Sequence, residues 1–135
     1  MAEAADVDGD GFLDIVAIDE RTGVTIYFGQ RSGTFSSGVA VEVRAPVPYA
    51  LAAGDLNHDG KIDVVVGHVD ARSTVYFNDG LGRHFSAVHF GDNNGTVYGF
   101  AIGDLDHDGL LDIAVARSEA PDVVYFATRG TPRTP

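Results

Sequence analysis

Cysteine is absent from the 135 residues, which excludes a disulfide framework, a thiolate zinc site and a cysteine nucleophile. Positive charge is scarce: 9 Lys+Arg stand against 20 Asp+Glu, a formal net charge of −11. Nucleic acid and anionic membrane surfaces both need a basic patch, so neither is expected as a partner. No apolar stretch approaches the roughly 20 residues of a membrane span, so no membrane insertion is expected. The segment Met1 to Asp6 lacks a basic region and an apolar core, and no signal peptide is read there. Helical periodicity is missing, and 17 glycines oppose long helices. There is no Gly-x-Ser-x-Gly elbow, Gly-rich phosphate loop or His-Glu-x-x-His, so no enzymatic function is expected. Hydrophobic residues are 44%, ordinary for a folded domain, so the acidity does not imply disorder.

What the sequence does contain is a repeat. Asp6, Asp55 and Asp104 are spaced by 49 residues, as are Tyr27-Phe28, Tyr76-Phe77 and Tyr125-Phe126. Tyr49–Phe77 and Tyr98–Phe126 are identical at 14 of 29 positions without a gap. A shared loop alone could be convergent, but a loop plus an aromatic pair at fixed distance is a duplicated structural unit. Three nine-residue segments, 6–14, 55–63 and 104–112, hold 11 of the 20 acidic residues. A run of charge is usually a solvated face. Here the spacing is fixed at positions 1, 3, 5 and 9 with Gly at 6, which solvation does not require and a metal ion does.

The middle unit reads as four short strands. Tyr49–Gly54 is a short apolar run leading into the acidic loop. Asp63–Val69 is continuous and β-branched, Thr74–Phe77 is β-prone, and His84–Phe90 carries aromatics, with turn residues between them. Continuous apolar strands such as Val64–Val66 and Ile113–Val115 are normally covered on both faces. In an all-β chain, a four-stranded antiparallel sheet stacked between like sheets meets that need, which is a β-propeller blade. A two-layer sandwich is the alternative, and its strands should alternate more cleanly. The units fall at about 1–48, 49–97 and 98–127, the last lacking its outer strand, and 128–135 reads as a disordered tail.

The loop chemistry favours calcium. Oxygens at positions 1, 3 and 5 converge as the chain curls: Asp6, Asp8 and Asp10; Asp55, Asn57 and Asp59; Asp104, Asp106 and Asp108. Gly at position 6 permits a left-handed turn. Position 7 offers its carbonyl, leaving the side chain free to vary as Phe12, Lys61 and Leu110. Asp14, Asp63 and Asp112 close the cage. An all-oxygen, flexible set suits Ca²⁺, about three ions per chain, with the Asn57 site somewhat weaker. An EF-hand is excluded because position 12 is Ala17, Val66 or Val115, inside strands, where the bidentate Glu should stand. Without metal, each carboxylate pair at ~4 Å repels by about 1–4 kcal/mol, so the ion's expected role is structural.

His58 and His107, at position 4, are expected to be exposed loop residues, and His84 and His89 surface residues of an outer strand. The Tyr-Phe pairs are expected in the packing between blades. Ligand candidates are the connecting loops Asp19–Gly23, His68–Ser73 and Gly91–Thr96, which vary while the scaffold does not.

Together these features resemble the FG-GAP/VCBS-type repeat of integrin-α-like propellers and bacterial surface proteins. The residues that carry the resemblance are the Asp-x-(Asp/Asn)-x-Asp-Gly-x-x-Asp loops, the apolar strand after each, the Val-Tyr-Phe type strand, and Asn78-Asp-Gly-Leu-Gly82 before Phe85. The resemblance implies a calcium-binding β-propeller, with Ca²⁺ in the hairpin joining the two inner strands of each blade and the ligand on the opposite face. It implies adhesion or binding of a carbohydrate or protein ligand. Such propellers commonly have seven blades, and about three are present here, an incomplete ring. Closure would need the remaining blades of a longer parent or a homo-oligomer, a dimer of six blades or a trimer of nine. The alternatives to a non-enzymatic binding module are a segment of a secreted hydrolase or lyase, or a pure assembly unit. Calcium sites of this kind suit an extracellular, secreted or periplasmic parent.

Overall fold

The computed structural model describes residues 1–19, 21–42 and 46–128. The expected tail falls largely on 129–135, outside the described residues. Eleven strands form three antiparallel sheets, and the described residues contain no helix. The first sheet is β1 (Ala2–Ala5), β2 (Asp14–Asp19), β3 (Gly23–Tyr27) and β4 (Val39–Glu42). The second is β5 (Pro48–Gly54), β6 (Asp63–His68), β7 (Ser73–Asn78) and β8 (Phe85–Phe90). The third has three strands, β9 (Thr96–Gly103), β10 (Asp112–Ser118) and β11 (Val123–Tyr125). Each sheet is an up-and-down meander in sequence order.

The sheets stack face to face as blades of an incomplete propeller. β6 is buried along its whole length, and alternation explains how both its faces are used. Val64 and Val66 pack with Val16, Val24, Ile26 and Phe28 of the first sheet. Val65, between them, packs with Val97, Ile113 and Val115 of the third. A continuous Val run is therefore stable only where sheets lie on both sides. Burying each such side chain contributes about 1.5–3 kcal/mol.

The same repeat position has a different fate in each sheet. Val7 is 1% exposed and Leu105 is 49% exposed, with Leu56 between them. Phe28 is 4% exposed, Phe77 half-buried and Phe126 55% exposed. These side chains lie on the face each sheet turns toward its successor, and among the described residues no sheet follows the third.

The meander sets two ends to the stack. The three acidic segments connect β1 to β2, β5 to β6 and β9 to β10, so all lie at one end. The β2–β3, β6–β7 and β8–β9 connections, which include the candidate ligand loops, lie at the other.

Candidate metal centre

The acidic loops are built by local hydrogen bonds that repeat from unit to unit. The position-1 carboxylate accepts backbone N–H groups through both oxygens. Asp6 accepts from Gly9 and Asp10 on Oδ1 and from Gly11 on Oδ2, at 2.9–3.1 Å. Asp55 accepts from Asp59 and Gly60 at 3.1 and 2.8 Å, and Asp104 from Asp108 and Gly109 at 3.0 and 2.9 Å. Position 3 (Asp8, Asn57, Asp106) accepts the N–H of position 5 at 3.2–3.3 Å. Position 5 (Asp10, Asp59, Asp108) accepts the N–H of Phe12, Lys61 or Leu110 at 2.8–3.0 Å. Short side chains that bond the backbone two residues on are the ordinary means of curling a chain.

Two positions in each loop are left-handed. Position 6 has φ of 92°, 82° and 88° at Gly11, Gly60 and Gly109, as the glycine requires. Position 4 is also left-handed: Gly9 at 76°, His58 at 57° and His107 at 62°. Both histidines are exposed. The strained fourth position was legible only through Gly9, where the first unit has the residue that adopts this backbone freely.

The loops gather charge. Asp6, Asp8 and Asp14 each bring a carboxylate oxygen within 4.8 Å of the others, and so do Asp104, Asp106 and Asp108. In the middle loop Asn57 replaces the central carboxylate. Its amide nitrogen lies 3.3 Å from Asp59 Oδ2. With the amide turned over, that nitrogen would donate to both Asp55 and Asp59, at 3.2 and 3.0 Å. The amide thus offers partial positive charge between two carboxylates, and a cation would need its oxygen instead. Desolvation holds the carboxyls of Asp8 and Asp106 above their ordinary range, and nearby carboxylates add to it. Asp63 is raised by burial, with Asp59 and Asp55 contributing further. Clustered carboxylates that resist ionisation form an oxygen-rich donor set that fits Ca²⁺.

Position 9 has a structural role that the loop spacing alone does not reveal. Asp14, Asp63 and Asp112 are fully buried. Oδ2 of each accepts the N–H of position 2, from Val7, Leu56 or Leu105, at 2.7–2.9 Å. Oδ1 accepts the N–H of the residue after the aromatic pair, from Gly29, Asn78 or Ala127, at 2.9 Å. One carboxylate thereby ties the loop to the end of the third strand. The signal in the sequence was the shared 15-residue offset between this Asp and the residue after Tyr-Phe.

At the other end, two polar clasps cross between sheets. His68 Nε2 meets Glu42 Oε1 at 2.6 Å, and Nδ1 meets the Arg72 carbonyl at 2.7 Å. Tyr76 donates its hydroxyl proton to Glu42 Oε2. Burial, then Glu42, pushes the Tyr76 phenol up. His68 is 0% exposed, so this member of a candidate ligand loop is a structural residue. One repeat later, Arg117 Nη1 donates to Asp92 Oδ1 at 2.7 Å. Tyr49 and Tyr98 stand edge to face with centroids 5.0 Å apart, and both are exposed.

The sequence model described as an FG-GAP-like repeat matches residues 6–66 and again 55–115. The two matches are offset by the same 49 residues as the loops and together span residues 6–115. Among curated proteins, none matches the chain.

Proposed function

The chain belongs to the FG-GAP-like repeat family, and on that footing we propose that it is a calcium-stabilised β-propeller segment acting as a non-enzymatic binding module. The observation that carries the calcium reading is the convergence of carboxylate oxygens within 4.8 Å in the first and third loops. The repeated spacing extends it to the middle loop. Asp6, Asp8, Asp10 and Asp14 and their counterparts would hold the ion, with the carbonyls of Phe12, Lys61 and Leu110 completing each set. The ion supplies charge neutralisation and cross-links the two strands that flank the loop; it is not assigned a catalytic role. Binding would take place at the opposite end, where variable loops and the exposed Tyr49–Tyr98 pair lie. An aromatic pair and polar loops suit a carbohydrate or a protein. An extracellular setting, where calcium is abundant, matches this reading.

Calorimetric titration tests it. About three Ca²⁺ per chain are expected, with the melting temperature rising as calcium is added. A hundredfold excess over Kd contributes about 2.7 kcal/mol per site. A chain that takes up no calcium, and melts identically in chelator and in millimolar calcium, would end the proposal. Glycan arrays and pull-down screens of the calcium-loaded protein test the binding role separately.

A further inference from the structure

Val97 and Phe100 are an odd number of residues apart, so regular alternation would put them on opposite faces of β9. Both nevertheless meet Gly67 of the second sheet, where a Cβ would lie 2.5 Å from Val97 Cγ1 and 2.9 Å from Phe100 Cζ. The strand register explains this. Val97 pairs with Arg117 and Gly99 with Ala116, so Tyr98 is an extra residue in β9, a β-bulge. β5 has the same device one repeat earlier: Pro48 pairs with His68 and Ala50 with Gly67, which leaves Tyr49 as the extra residue. Alternation would send Tyr98 to the face of Phe100 and Tyr49 to the face of Leu51, between sheets. The bulges turn both to solvent instead, with Tyr49 44% exposed and Tyr98 50%. The rings meet edge to face with centroids 5.0 Å apart, and neither hydroxyl has a hydrogen-bond partner among the described residues. Aromatic rings bury large apolar areas when packed inside, so packing does not account for two bulges that expose them. Re-aiming a side chain beside a binding site is what bulges do elsewhere.

The loop that leads into β9 is held from both sides. Arg72 donates to the carbonyls of His89 and Gly91 at 3.0 and 3.2 Å, and the Asp70 N–H donates to the Gly95 carbonyl at 3.0 Å. Arg117 Nη1 donates to Asp92 Oδ1 at 2.7 Å and to the Asn94 carbonyl at 3.4 Å. Its Nε and Nη2 donate to the Pro121 carbonyl at 2.8 and 2.6 Å. Both guanidinium groups are thereby occupied, and the Asp92 carboxylate is paired. The loop presents to solvent the side-chain amides of Asn93 and Asn94, both exposed. These are uncharged groups that donate and accept.

We propose that the Tyr49–Tyr98 pair and the Asn93–Asn94 loop form a site for a neutral saccharide. The C–H groups of a sugar ring carry partial positive charge and stack on the negative face of an aromatic ring. Sugar hydroxyls both donate and accept, as do the tyrosine hydroxyls and the asparagine amides. An acidic saccharide would find Arg72 and Arg117 already engaged, and a cationic peptide would find Asp92 already paired. Two rings and two amides match a ligand of about one or two sugar rings, far below the ~800 Å² that each partner of a stable protein interface buries. The clamped loop lowers the ordering cost of binding. The inference rests on reading this end of the stack as the binding end, and it narrows the ligand to one class.

NMR titration of the calcium-loaded protein, labelled at tyrosine, tests it. The probes are neutral disaccharides of gluco, galacto, manno and N-acetylglucosamine type, with digalacturonate as the acidic counterpart of the galacto probe. At least one neutral disaccharide should shift the ring resonances of Tyr49 and Tyr98, and digalacturonate should bind at least about tenfold more weakly than that disaccharide. Tyr49→Ala/Tyr98→Ala should weaken saccharide binding at least about tenfold, and Tyr49→Phe/Tyr98→Phe, which keeps both rings, should fall between it and wild type. Both positions are exposed, so the variants should fold, and circular dichroism checks this. If no neutral disaccharide moves the two rings, or if one binds the alanine variant as tightly as wild type, the inference is overturned. A random peptide library displayed on phage separates the two readings. Peptides captured in place of any saccharide, and lost by the alanine variant, would overturn the inference and leave the binding end in place. Capture of neither saccharide nor peptide would end both.

Discussion

Asn78 donates from Nδ2 to the carbonyl of Val7 at 2.7 Å, joining the second sheet to the loop of the first across 71 residues of sequence. The same amide donates to Ile62 at 2.9 Å, and its oxygen accepts from Gly80 and Gly82 at 2.8 and 2.9 Å. One buried side chain therefore fixes its own turn and the joint between sheets. The counterparts, Gly29 and Ala127, lack this amide. Asn78→Ala should cost about 2–4 kcal/mol in urea unfolding, with the buried carbonyl of Val7 and the half-buried one of Ile62 losing their donor. A loss below half a kcal/mol would show that the joint does not depend on it.

The two kinds of loop aspartate should separate experimentally. Asp63→Ala strands the backbone N–H groups of Leu56 and Asn78, so it should destabilise by about 2–5 kcal/mol with calcium or without. Asp59→Ala, at an exposed position, should reduce calcium uptake by about one ion while changing stability in chelator by under about half a kcal/mol. Equal losses in chelator for the two variants would contradict this division of roles.

The Glu42–His68–Tyr76 cluster yields a third prediction. The Arg72 carbonyl can only accept, so the proton on that side belongs to His68 Nδ1, and Nε2 faces the Glu42 carboxyl. Glu42→Ala leaves His68 and the Tyr76 hydroxyl without their partner and should cost about 3–5 kcal/mol. Glu42→Leu/His68→Leu/Tyr76→Phe should recover most of that loss, since the apolar set has no charge to bury and no phenol left without an acceptor, while the carbonyl of exposed Arg72 can turn to water. A triple variant no more stable than Glu42→Ala would refute this account of the cluster.

Acid should erode the effect of calcium. The carboxyls of Asp8, Asp63 and Asp106 are held above their ordinary range, so without metal the folded chain binds protons there more strongly than the unfolded chain. Stability withheld by these groups at neutral pH returns as pH falls through their folded pKa values. Asp19 and Asp92 are lowered, by backbone N–H groups first. Their contribution is present above the unfolded pKa and lost as pH falls through the folded one. They lie away from the loops, so they act alike with and without calcium. The melting-temperature gap between calcium and chelator should therefore narrow steadily from about pH 7 to about pH 4.5. A gap that stayed constant would place the calcium elsewhere.

The sequence by itself determined what is local. The strand spans, the acidic hairpins and the left-handed glycine at position 6 follow from turn chemistry and β-branched runs within a few residues. Phe85–Phe90 and Asp63–His68 fall within a residue of where the pattern placed them. Only the tertiary structure decided which of three equivalent side chains is buried. Val7 and Leu105 occupy the same repeat position, and the presence of a neighbouring sheet alone makes one core and the other surface. The clasps belong there too. Glu42 and His68 lie in different units, at positions that become Gly91 and Arg117 one repeat later, so no periodicity could pair them. Burial between sheets is a property of two surfaces meeting, and a one-dimensional pattern records only one of them.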